Sequence, residues 1–171
     1  MVRFIAIVAI FLISISAFSQ EKIQWLGVEK AFENHSKQPR FMFIDLYTDW
    51  CGWCKVMDRS TFVEDTVAKF FKNRYYNVKF NAESTDTLRI LGNQFKFVEE
   101  YRMNELALSL FNGQSASFPS FVVLGPGLEY LGIIQGYQKS DEFIGNLVMI
   151  EQRYIDMIEK KKLEEAEKSK K

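Results

Sequence analysis

Both cysteines of the chain lie in one short segment, Cys51-Gly52-Trp53-Cys54, directly behind a nearly continuous apolar run over residues 41–47. That placement constrains the fold more than any other feature. An apolar run of this length suits a strand buried on both faces, as in a sheet covered by helices on both sides. A helix opening at Cys51 would aim its first backbone amides, which lack intrahelical acceptors, at the Cys51 sulfur and stabilise a thiolate there. Cys54 follows about one turn later, and helical i, i+3 spacing brings the two Cα atoms within disulfide range. A bridge between them closes almost no loop and would add little stability. Redox chemistry or metal binding is therefore the better use of the pair.

The start of the chain sets the compartment in which those cysteines work. Met1-Val2-Arg3 precede an almost wholly apolar stretch, residues 4–15, and Ala17-Phe18-Ser19 place small residues where a signal peptidase acts. The stretch is short for a membrane span, so residues 1–19 read as a signal peptide and the protein as exported, with the periplasm as its expected location. A membrane association is expected only if this segment is retained. Export permits a disulfide that a reducing cytosol would not. With 22 basic and 22 acidic side chains and 47% apolar residues, the 171-residue chain is a poor candidate for disorder or for binding nucleic acid. Two cysteines are too few for a disulfide-stapled miniprotein. One globular domain is expected over residues 20–158, followed by a charged, solvated tail over residues 159–171.

Periodicity predicts a first helix over residues 24–37, with Trp25, Val28, Ala31 and Phe32 on its apolar side and Gln38-Pro39 ending it. His35, the single histidine, is assigned to the polar side of that helix. Val63, Val67, Phe70 and Phe71 form the stripe of a further helix, with Glu64 and Asp65 in its first turn, and residues 75–81 read as a strand. Between Asn81 and Pro119 a turn-rich excursion leads into a helix bearing Met103, Leu106, Ala107, Leu110 and Phe111, which Asn112-Gly113 ends. Residues 121–124 and 128–135 flank Gly125-Pro126-Gly127 and read as an antiparallel hairpin. Ser140 is expected to cap a long last helix carrying Phe143, Leu147, Ile150, Tyr154 and Ile158 on one side.

The segment Asp45-Leu46-Tyr47-Thr48-Asp49-Trp50-Cys51-Gly52-Trp53-Cys54-Lys55, together with Phe118-Pro119-Ser120 leading into a later strand, resembles the thioredoxin superfamily, most closely its exported bacterial members. The resemblance covers about residues 24–158. It implies an α/β, thioredoxin-like fold: a central mixed sheet flanked by helices, with an inserted segment, residues 82–115, before the strand that begins at the cis-proline. It also implies a thiol-disulfide oxidoreductase acting on protein or peptide disulfides. Cys51 would be the exposed attacking thiolate and Cys54 the resolving thiol, attacking from beneath. Asp45, desolvated in its apolar run, would exchange a proton with Cys54 through water. Trp50, Gly52, Trp53, Phe118 and Pro119 would contact the substrate, with Pro119 in the cis form so that a substrate strand can pair with the preceding backbone. No bound cofactor is implied, but an electron-donating partner is needed to regenerate the dithiol. Trp53 departs from the family, whose typical members have proline there. The segment before Pro119 is longer than in the simplest members, and would either select partners or cover core.

Three other readings compete. The same fold could oxidise or isomerise disulfides rather than reduce them. A CxxC is also half of a tetrahedral thiolate site, which would make the chain a metal-delivery module with Met57 as the soft third ligand to test; the other half of a structural zinc site is missing. A non-catalytic peptide-binding module would use the Phe118-Pro119 groove without turnover.

Overall fold

Residues 21–168 are described by a computed structural model, so the signal peptide expected over residues 1–19 lies outside the described residues. In chain order the elements are Trp25–Leu26 (β1), Val28–Lys37 (α1), Phe41–Tyr47 (β2), Gly52–Arg59 (α2), a 3-10 turn at Thr61–Val63, Asp65–Phe71 (α3) and Tyr75–Asn81 (β3). Then come Leu88–Ile90 (β4), Asn93–Phe95 (β5), Phe97–Val98 (β6), Met103–Asn104 (β7), Glu105–Leu110 (α4), Ser120–Leu124 (β8), Tyr130–Gln135 (β9) and Ser140–Lys168 (α5).

The apolar run becomes the middle strand of a five-stranded mixed sheet of order β1-β3-β2-β8-β9. β2 runs parallel to β3 and antiparallel to β8, with Asp45 opposite Lys79 on one side and Phe121 on the other. Its side chains alternate between two cores, as the pleat requires. Met42, Ile44 and Leu46 join an aliphatic cluster with Val28, Ala31 and Phe32 of α1. Phe43 points to the opposite face, where Phe62, Phe71, Phe121 and Phe143 surround it in tilted, edge-on and stacked contacts. This is the α/β, thioredoxin-like arrangement expected.

The segment before Pro119 contains two small hairpins, β4–β5 and β6–β7, and the short α4. Leu91 and Gly92 both take positive φ (49° and 84°) between β4 and β5, a pairing that closes a two-residue turn whose twist matches the strands. Asn104 anchors the segment. It is fully buried, its Nδ2 donates to the carbonyls of Ser84 and Asp86, and its Oδ1 accepts from the Leu106 amide to cap α4. Ile90, Met103, Leu106, Ala107, Leu110 and Phe111 enter the aliphatic cluster, so this segment covers core.

Several expectations are corrected. Trp25 is extended, paired with Asn77 in β1, and α1 begins only after Gly27, its N-cap. Val63 lies in the 3-10 turn and is half exposed, so the α3 stripe is Val67 and Phe71, with Phe70 at its edge. Met103 is in a strand, because pairing with Val98 outweighs its helical spacing to Leu106. Ser140 is the first residue of α5 rather than its cap, and the Lys139 carbonyl accepts from the Phe143 amide. His35 is buried, 5% exposed, with its ring edge-on to Tyr76. It stands at i+4 from Ala31 and i+3 from Phe32, on the face α1 packs against β3. The expected tail is an exposed continuation of α5 as far as Lys168. No helix among the described residues is long and apolar enough to cross a membrane.

Candidate active site

β2 ends at Tyr47, and after a short turn Cys51 becomes the N-cap of α2. Its Sγ accepts a hydrogen bond from the Cys54 amide at 3.0 Å, which supplies one of the orphaned amides at the helix start. Cys51 and Cys54 form a disulfide with Cα atoms 5.4 Å apart. Each residue is 4% exposed. The expectation of an exposed Cys51 is thus corrected: in the disulfide form both cysteines are buried, and they differ by position, Cys51 sitting where amides and the macrodipole favour a thiolate and Cys54 inside the first turn.

Trp50 and Trp53 flank the disulfide and are the most solvent-exposed aromatics beside it, at 66% and 60%. The Trp50 indole Nε1 donates to Glu83 Oε1 at 3.0 Å, and its ring meets Phe118 edge-on at 5.7 Å. Phe118 in turn meets Phe111, the residue that ends α4, at 5.8 Å. Trp53 packs on Tyr137 at 5.2 Å. The Phe118–Pro119 peptide is cis and leads directly into β8. A Cβ placed on Gly52 would meet nothing within 4 Å, so this position at the head of α2 opens to solvent. The structure thereby brings Trp50 together with Phe118, and Trp53 with Tyr137.

Asp45, on β2, is buried, 1% exposed. Desolvation raises its pKa to about 7, against the lowering effect of the Lys79 ammonium, whose Nζ is 3.5 Å from Oδ2. The nearby Asp58 carboxylate, which accepts a hydrogen bond from Lys79, pushes it further up. Burial also raises the Tyr47 phenol, with Asp49 adding to the effect. Met57 is wholly buried in the aromatic core, where its Sδ accepts from the Gln138 amide at 3.4 Å, so it is not oriented as a ligand at the surface. Among the described residues no group of three or more His, Cys, Asp or Glu side chains could hold a metal ion.

Sequence reasoning missed Lys79, Glu83 and Tyr137. Lys79 carried one signal: a charged residue in the middle of the predicted strand 75–81, whose only buried use is to meet a carboxylate. Glu83 and Tyr137 reach the site from loops and carried none.

A family model, Thioredox_DsbH, described as "Protein of unknown function, DUF255", matches residues 13–99, half of the chain. No curated protein matches the sequence. Among solved structures, the chain is similar to a "DsbH Oxidoreductase" at 16% identity and TM-score 0.51, covering 75% of this chain and 84% of that one. A thioredoxin from Thermus thermophilus gives 16% identity and TM-score 0.56, over 75% of this chain and 87% of the other. A putative disulphide-isomerase from Bacteroides thetaiotaomicron gives 18% and 0.53, over 75% and 90%. With the family model spanning the CxxC segment and a shared fold around it, the chain belongs to the thioredoxin-like DsbH family of the DUF255 model.

Proposed function

We propose that this protein is an exported thiol-disulfide oxidoreductase that reduces disulfides in other exported proteins through a Cys51/Cys54 cycle. The observation that carries the reading is the pair itself: two cysteines in disulfide contact at the head of α2, with Cys51 as its N-cap. A buried carboxyl raised to about 7, Asp45 on the strand that leads into the motif, supports it. The signal-peptide pattern of residues 1–19 supports export, and Gly52 and Lys55 around the cysteines support reduction as the direction.

In the cycle the Cys51 thiolate attacks one sulfur of a substrate disulfide, forming a mixed disulfide and releasing the other substrate sulfur as a thiolate that takes a proton from solvent. Asp45, as carboxylate, accepts the Cys54 proton through an intervening water. The Cys54 thiolate then attacks the Cys51 sulfur, so the mixed disulfide breaks, the second substrate thiolate leaves, and the Cys51–Cys54 disulfide forms. Two electrons pass to the substrate, and a dithiol partner must return two to the protein. Substrate backbone would lie along Phe118-Pro119, with Trp50 and Trp53 on either side of the cysteine being attacked and Gly52 leaving room between them.

The reading is tested by following reduction of a disulfide-containing protein with dithiothreitol as electron source. The native chain should turn over many times, and Cys51→Ser should not. Cys54→Ser should instead accumulate mixed disulfides on Cys51. Recovery of trapped substrate through Cys54 in the complementary variant, and not through Cys51, would overturn the assignment of roles.

A further inference from the structure

Lys79 occupies an unusual position for a lysine on a central strand. Its Nζ lies 5.4 Å from the ring centroids of both Trp25 and Tyr47 and 5.9 Å from that of Phe62. Ring faces attract an ammonium, so these three aromatics form a cage that holds the charge between interior and solvent. Two carboxylates compete for it. Asp58, on α2 one turn beyond Cys54, accepts the hydrogen bond of Nζ. Asp45 Oδ2 stands at 3.5 Å, the outer limit of hydrogen-bond distance, and Asp45 Oδ1 has no hydrogen-bond partner among the described residues. The three side chains descend from surface to interior, at 38%, 24% and 2% exposed for Asp58, Lys79 and Asp45.

We propose that Asp58 is a positioning residue of the redox cycle, holding the Lys79 ammonium toward α2 so that Asp45 is not locked into a close ion pair and can both take up and release the Cys54 proton. The proposal rests on the reading of Asp45 as the proton-exchanging group. A buried carboxyl with no cation nearby would stay protonated and could not act as a base. The same carboxyl in tight contact with an ammonium would stay ionised and could not return the proton. Sharing Lys79 between two acids avoids both extremes, and because Asp58 lies on α2 the arrangement is tied to the helix that carries the cysteines. The titratable and charged groups around Asp45 are Lys79 from β3, Asp58 from α2 and Tyr47 on its own strand, with Asp49 beyond Tyr47. From β8 the facing residue is Phe121, which does not titrate.

The test is a titration of the Asp45 carboxyl by carbon-13 NMR in the disulfide form of the full chain, with the resonance assigned through Asp45→Asn. Asp58→Asn should lower the Asp45 midpoint by about one pH unit, since it removes a like charge and frees Lys79 for Asp45. Asp58→Glu should keep it near the native value. The acid limb of the turnover profile should move with the midpoint. An Asp45 midpoint that stays in place or rises in Asp58→Asn overturns the proposal while leaving the redox cycle standing. A lowered midpoint with an unmoved turnover profile shows that Asp58 positions Lys79 but overturns the use of Asp45 in the cycle.

Discussion

Two buried polar side chains on opposite faces of the sheet have much in common but very different neighbours. His35 sits on the α1 face, 5% exposed, and its Nε2 has no partner among the described residues. Asp45 sits on the aromatic face, 1% exposed, and its Oδ1 likewise has none. An unsatisfied buried polar atom costs about 1–3 kcal/mol in either place. The neighbours differ. His35 meets the ring of Tyr76 edge-on. Asp45 meets Lys79, and through it Asp58 on the helix that carries the disulfide. On the proposed cycle, the same unsatisfied burial serves function at Asp45 and not at His35, because only Asp45 has charged neighbours tied to the cysteine helix.

The largest effect that could break this comparison is at the cysteines. Cys51→Ser should reduce turnover by about a thousandfold or more while leaving both faces packed, since the bridge closes almost no loop. A fold that collapsed in this variant would show the disulfide to be structural. Next come the two cores of β2. Phe43→Ala should cost about 4 kcal/mol in denaturant unfolding, and Leu46→Ala about 3, because Phe43 loses its five ring contacts, with Trp25, Phe62, Phe71, Phe121 and Phe143, as well as its volume.

Replacing Asp45 separates cost from use. Its folded pKa of about 7 lies above the ordinary 3.8, so the folded chain binds the proton more tightly than the unfolded one. The stability this gives is fully present below pH 3.8 and is lost as pH rises through about 7. Asp45→Asn should therefore gain stability relative to the native protein across that window, by up to about 4 kcal/mol above neutral pH, while turnover falls about tenfold or more. Thermal unfolding at acid and alkaline pH, paired with disulfide reduction rates, measures both. The smallest effect is expected at the other face: His35→Leu should raise stability by about 1 kcal/mol and leave turnover unchanged. Slowed turnover in this variant would remove the contrast between the two sites.

The sheet's middle strand and the helix bearing the disulfide were legible because their signals are local: an uninterrupted apolar run and a cysteine pair spaced by one turn. So was β8, which begins immediately after Pro119. His35 reads as solvent-facing by residue type, although its spacing from Ala31 and Phe32 puts it on the apolar stripe. The two small hairpins before Pro119 were not legible. Their strands are two or three residues long and depend on Asn104, whose partners Ser84 and Asp86 lie far back in the sequence. Trp25 gave a helical signal that strand pairing with Asn77 overrode. At the site, the cysteines, Asp45 and Pro119 came from a contiguous motif and one later dipeptide. Lys79, Glu83 and Tyr137 come from elements brought together only by folding.

The central claim is that Cys51 and Cys54 are a reducing couple, and the most direct test is their equilibrium reduction potential. The protein would be equilibrated in defined thiol-disulfide buffers and its redox state read by thiol alkylation. A value near the roughly −270 mV of thioredoxin is predicted for a reductase, whereas a value near the roughly −120 mV of a strong oxidant would contradict it and reverse the direction of electron flow.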